Sequence, residues 1–185
     1  ASNGRLVGVT EDAAAGTVTY HWSQELPHST YLIFRAAAPY GVVRDSYRNL
    51  PVNYWVYPGD EAKARPTYGK TPGMIAFFNE TFGFDYPWQK YDQISVPLGG
   101  GAESTSATAM TSRIMVSEED EPDFSAIGIV SHELAHQWWG DLITLRSWGH
   151  AWMNESFGTG SITTTIPGRT APGAEGRSLA LRVPC

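Results

Sequence analysis

The chain has 185 residues, 42% apolar and 17% charged, which suits a packed core in one domain or in parts of two. Its formal charge of −6, with no basic cluster, argues against nucleic acid and against an anionic membrane surface as partners. No apolar run of about eighteen residues occurs, so no membrane span is expected. The single cysteine, Cys185, rules out an internal disulfide, and the first residue is not Met, a start that fits a fragment or a processed chain equally.

Residues 1 to about 57 read as short strands. Arg5–Val9 and Thr17–Trp22 flank a turn-rich connection, and Tyr31–Phe34, Gly41–Val43 and Val52–Tyr57 follow with Pro or Gly between them. β-Branched and aromatic residues in such runs predict an antiparallel sheet. His21 and His28 lie here without a partner at ligand spacing and read as surface or sheet residues. The polar stretch Pro58–Pro66 reads as a boundary. A helix then follows, with Thr71 as N-cap, Pro72 at N1, an apolar face of Met74, Ile75, Phe78 and Phe82, and Gly83 as its stop.

Tyr91–Pro97 reads as a strand. The stretch Leu98–Ser106 is either a flexible loop or, through Gly99, Gly100 and Gly101, a place where another backbone can come close. Ile114–Val116 reads as a strand and Ser117–Pro122 as an acidic loop. Asp123 or Ser125 can cap the next helix, whose buried face is Ile127, Val130, Leu134 and Trp138.

That helix carries His132-Glu133-Leu134-Ala135-His136. Four helical residues advance about 400° and rise about 6 Å, so the two imidazoles sit on one face, one turn apart, where both can reach one divalent ion. Glu133 is offset by about 100°, where a carboxylate can touch a metal-bound water without ligating the metal. Gly140 is a plausible stop for the helix. Eighteen residues separate His136 from Glu155, enough for a second helix to return a carboxylate to the same ion. His, His and Glu with a water make a tetrahedral catalytic zinc site. After Phe157 the text weakens: residues 158–185 contain no aromatic residue and no Asp, and Pro and Gly punctuate them. A short helix and a weakly ordered tail are expected there.

The spacing His132-Glu133-x-x-His136, eighteen residues, Glu155 resembles the zinc signature of the gluzincin metallopeptidases. The fuller text His132–Thr144, with Trp148-x-x-x-Trp152-Met153-Asn154-Glu155-Ser156-Phe157, is similar to the M1 aminopeptidase family. The likeness is close from about Tyr47 to Phe157. It implies an α+β fold: residues 1–60 as the end of an antiparallel β-domain, residues 61–157 as the first half of a thermolysin-like catalytic domain, and residues 158–185 as the tail. It implies one Zn2+ held by His132, His136 and Glu155, with Glu133 as general base. Gly100-Gly101-Ala102-Glu103-Ser104 resembles the family's Gly-x-Met-Glu-Asn motif, with Ala102 and Ser104 as departures. By that likeness Glu103 binds the free α-amino group of a peptide substrate, beside backbone from Gly100 to Ala102. No tyrosine follows Tyr91, so the family's oxyanion-stabilising tyrosine has no counterpart here. Two other readings stay open: a thermolysin-like endopeptidase with the same ligands, and a truncated, non-catalytic zinc-binding remnant. For the hydrogen bonds that orient the histidines, Asp141 and carbonyls of neighbouring strands are the candidates.

Overall fold

The computed structural model describes residues 1–165, with side chains through residue 160. Strands β1 (Arg5–Asp12) and β2 (Thr17–Ser23) form an antiparallel hairpin that pairs only with itself. The Asp12 carboxylate closes its turn by accepting from the N–H groups of Ala14 and Ala15, each at 3.0 Å. The strand expected at Tyr31–Phe34 is instead a single 3-10 turn, Thr30–Leu32. The reason is a side chain acting as a ladder: Asn3 Nδ2 donates to the Leu32 carbonyl at 3.0 Å, and Asn3 Oδ1 accepts from Phe34 N–H at 2.6 Å.

The main sheet contains β3 (Gly41–Tyr47), β4 (Leu50–Val56), β5 (Tyr91–Val96), β6 (Gly101–Ala102) and β7 (Ala107–Thr111), in the order β3-β4-β5-β7-β6. Its centre, β4-β5-β7, is parallel, and both edges are antiparallel. Every residue of β5 and β7 is buried, as parallel strands covered on both faces should be. That is why the small, polar text Ala107-Thr-Ala-Met-Thr111 gives no alternating signal. The strand expected at Ile114–Val116 is a 3-10 turn, Ser112–Ile114, directly after β7.

One sheet therefore runs across the polar stretch 58–66, because β4 pairs in parallel with β5, Val52 opposite Tyr91. A parallel pair needs a crossover, and helices α1 (Glu61–Tyr68) and α2 (Thr71–Phe82) supply it. α1 escapes a reading by apolar periodicity because it buries only Ala64, Thr67 and Tyr68. In α2 the cap is Lys70; the Thr71 hydroxyl is spent on Gln93 Oε1 at 2.8 Å, and Gly83 ends the helix in the left-handed region at φ 65°.

The two faces of the sheet are covered differently. Val52, Tyr54, Tyr91 and Met110 pack against α1, α2 and the zinc-signature helix α3 (Ile127–Ala135). Ile94, Val96, Ala107 and Ala109 are covered by Phe34, Ala36, Tyr40 and Trp55. Trp138, just beyond α3, stands edge-on to Phe78, Phe82 and Tyr86 with centroids 5.8, 5.5 and 5.4 Å away. Such pairs add about 0.5–1.5 kcal/mol each beyond their burial, and together they fix the azimuth of α3. After a 3-10 turn at Trp148–His150, α4 (Ala151–Thr165) continues well past Phe157. The expected tail from residue 166 onward lies outside the described residues.

Candidate metal centre

His132 lies inside α3 and His136 directly after its last residue, with the His136 N–H still bonded to the His132 carbonyl at 3.4 Å. The helix ends at Ala135, five residues before Gly140; that glycine, at φ 125°, belongs to the turn that follows. The two Nε2 atoms stand 3.1 Å apart, with the rings nearly perpendicular at 88°. Glu155 on α4 brings Oε2 to 3.5 Å from His132 Nε2 and 3.8 Å from His136 Nε2. A tetrahedral zinc with bonds of ~2.0–2.2 Å spaces its ligand atoms about 3.3–3.6 Å apart, so two imidazoles and a carboxylate at these separations fit one ion.

Local packing explains why these side chains meet. His136 is buried, and its Nδ1–H donates to the Trp139 carbonyl at 2.9 Å, leaving Nε2 as the electron-pair donor. The orienting carbonyl thus comes from the turn after α3 rather than from a strand. Asp141 does not take that part: neither of its carboxylate oxygens makes a hydrogen bond, while its backbone N–H bonds the His136 carbonyl at 3.0 Å. α4 is held against the same turn by Phe157, stacked on Trp139 with centroids 4.3 Å apart. Gly158 faces the imidazoles directly; a Cβ there would lie 2.9 Å from His136 Nε2 and 3.1 Å from His132 Cε1. The glycine that looks like poor helix text in sequence is what lets α4 approach the two rings.

Glu133 is only 6% exposed and sits under the edge strand β6, where any side chain on Gly101 would collide with its carboxylate. Burial, reinforced by the negative charges of Glu103 and Glu155, pushes its pKa up to about 8. His132 is held below the usual histidine range by burial and by His136, against the pull of Glu155 and Glu103. The negative charge of Glu103 acts on Glu133, His132 and Asp141 alike. No Lys or Arg among the described residues pairs with it. Gln137 fixes the segment that carries it. Fully buried one residue after His136, it donates to the Glu103 carbonyl at 2.9 Å and accepts from Ser106 N–H at 2.8 Å. Gly101 and Ala102 form β6 itself, with Gly100 just before it.

Gln137, Gly158, Asn154 and the Trp139 carbonyl are the parts of the site that sequence reasoning does not find. A glutamine directly after the second histidine of the pair is the one signal that pattern reading could have used. His28 is not one of the three converging side chains; its Nδ1 pairs with Thr105 Oγ1 at 3.1 Å.

Residues 67–177 match the sequence profile described as the Peptidase family M1 domain. The chain belongs to peptidase family M1. Among curated relatives of this M1 chain, Aminopeptidase 2 of Candida albicans is 32% identical over 71% of the chain and 15% of its own length. Probable aminopeptidase 2 of Sulfurisphaera tokodaii is 29% identical over 85% of the chain and 21% of its own length. Glutamyl aminopeptidase of Bos taurus is 30% identical over 74% of the chain and 15% of its own length. The M1 chain thus spans about a fifth or less of these relatives. Among the described residues no helix is long and apolar enough to cross a membrane.

Proposed function

We propose that this chain is the metal-binding part of a zinc aminopeptidase, with one zinc held by His132, His136 and Glu155. The observation that carries the reading is the convergence of those three ligand atoms, all within 4.8 Å of one another, beside Glu133 in an M1 chain. The ion, when bound, supplies Lewis acidity: it polarises the scissile carbonyl and brings the attacking water toward a pKa of ~7.

Glu133 takes a proton from that water and passes it to the leaving amine as the C–N bond breaks. A carboxylate whose burial already favours the protonated form suits a group that must gain and then give up a proton, and a dication beside it pulls its pKa back down. Glu103 accepts the α-ammonium of the substrate, which confines cleavage to the first residue. β6 is an edge strand bonded on one side to β7, so Gly100, Gly101 and Ala102 offer their free side to a peptide backbone as an added strand. The substrate is then a peptide with a free N-terminus.

The test is a paired measurement on the zinc-loaded chain. It should retain about one zinc, and a free-amine peptide hydroxamate should bind tightly while its N-acetylated twin does not. Equal binding of the two would point to an endopeptidase site; a chain that retains no zinc would remove the metal assignment itself.

A further inference from the structure

Tyr31 lies far in sequence from every residue discussed as a ligand, in a segment without regular secondary structure apart from one 3-10 turn. That turn is firmly placed. Leu32 is 1% exposed in the core, and Asn3 grips the backbone on both sides of it through Leu32 O and Phe34 N–H. The Tyr31 ring stands edge-on to Trp148, with centroids 5.2 Å apart.

Its hydroxyl bridges two elements. It donates to the Gly140 carbonyl at 3.4 Å and accepts from Asn154 Nδ2 at 3.2 Å. Gly140 belongs to the turn that holds His136, and Asn154 immediately precedes Glu155 on α4. Gly140 is what allows the close meeting: a Cβ there would lie 3.1 Å from Asn154 Nδ2 and 3.4 Å from His136 Nδ1. Glu155 gains from such a device, because its own side chain is 61% exposed and little else surrounds it to fix its direction.

We infer that Tyr31 is a positioning residue for the metal centre: its hydroxyl fixes the separation between α4 and the turn after α3, and so holds Glu155 in line with the two histidines. The inference rests on the zinc reading above. It makes a segment outside the signature part of the machinery, acting through Asn154 and Gly140 rather than on the ion.

The experiment uses the full 185-residue chain. Tyr31→Phe keeps the ring and its contact with Trp148 and removes only the hydroxyl. Zinc affinity is read by competition with a chromophoric chelator, and coordination by the visible spectrum of the Co2+-substituted chain. Loss of an orienting group typically weakens metal binding 10- to 100-fold; the low end, about 10-fold, is expected for Tyr31→Phe, with an altered Co2+ spectrum. In a Glu155→Ala background the same substitution should have no further effect, because the ligand it positions is gone. A zinc affinity within about twofold of the parent overturns the inference, as does an equal loss in the Glu155→Ala background, which is what a merely structural role would give. An unsubstituted chain that holds no zinc would instead fail the metal reading, and the inference with it; the parent measurement separates the two.

Discussion

Two aspartates are buried almost equally, at 0% and 2% exposure, and are treated in opposite ways. Asp92, on β5, is fully compensated: Lys90 Nζ donates to it at 2.6 Å and Asn53 Nδ2 at 2.8 Å, while Lys90 also reaches the carbonyls of Ser2 and Ser106. Asp141, behind the metal centre, has neither a cation nor a hydrogen bond on either oxygen. Burial and the charge of Glu103 raise its pKa well above the ordinary carboxylate range, and the nearby Thr105 hydroxyl offsets only part of this. The chain commits its buried lysine to the junction between the N-terminal segment and the sheet. The cleft gathers the carboxyl groups of Glu103, Glu133, Asp141 and Glu155, with no Lys or Arg paired to them among the described residues. The junction neutralises its charges internally; on the function proposed above, the cleft leaves that to a bound dication and a substrate ammonium.

The sharpest way to break this contrast is Lys90→Met. Stranding a buried carboxylate should cost about 3–5 kcal/mol in urea unfolding, and a loss below about 1 kcal/mol would mean the pair is not structural. Next comes Glu103→Gln. If the cleft charge serves a substrate ammonium, the inhibition constant of a free-amine inhibitor should rise roughly 10- to 150-fold, equivalent to about 1.5–3 kcal/mol, with zinc content unchanged. An unchanged constant would count against Glu103 as the amine anchor. Asp141→Asn should act with the opposite sign to Lys90→Met, stabilising the metal-free chain at pH 8 by about 1–2 kcal/mol, because it removes the cost of burying a carboxyl that is ionised in the unfolded chain. Destabilisation would show that Asp141 has a partner.

The remaining effect is a slope, small per pH unit. In chelator, the folded chain keeps a proton on Glu133 up to pH about 8, whereas the unfolded chain loses it near the ordinary glutamate value. Between those two values the folded state binds more protons, so stability falls as pH rises, by at most about 1.4 kcal/mol per pH unit. His132, with its lowered pKa, works in the other direction around pH 6. Melting curves from pH 5 to 8 should therefore flatten in Glu133→Gln; an unaltered slope would place the titration elsewhere.

What the sequence discloses follows the same division. The histidine pair, Glu133 and the return of Glu155 could be read because helical geometry turns spacing directly into direction. The hairpin, α2 and β5 could be read from periodicity and from Gly83. Tyr31–Phe34 could not, because its β-like text is paired by the side chain of Asn3, a long-range event with no local trace. α1 and β7 were hidden for opposite reasons, the first being too polar and the second too uniformly buried to show a period. Gly158 was misread because propensity treats glycine as a helix breaker, and here the missing side chain makes room for two imidazoles.

Trp139 touches both halves of the candidate metal centre: its carbonyl accepts a hydrogen bond from His136 Nδ1–H, and its indole stacks on Phe157 of α4 at an interplanar angle of 16°. It therefore serves as a built-in optical reporter. Emission from this indole should respond to how closely the glutamate-bearing helix is seated, and a bound transition ion whose absorption overlaps indole emission in the near ultraviolet should quench it by energy transfer. The arrival of an ion and the docking of α4 become separable signals in one titration, resolved by the difference between the chain and its Trp139→Phe variant, without any attached dye.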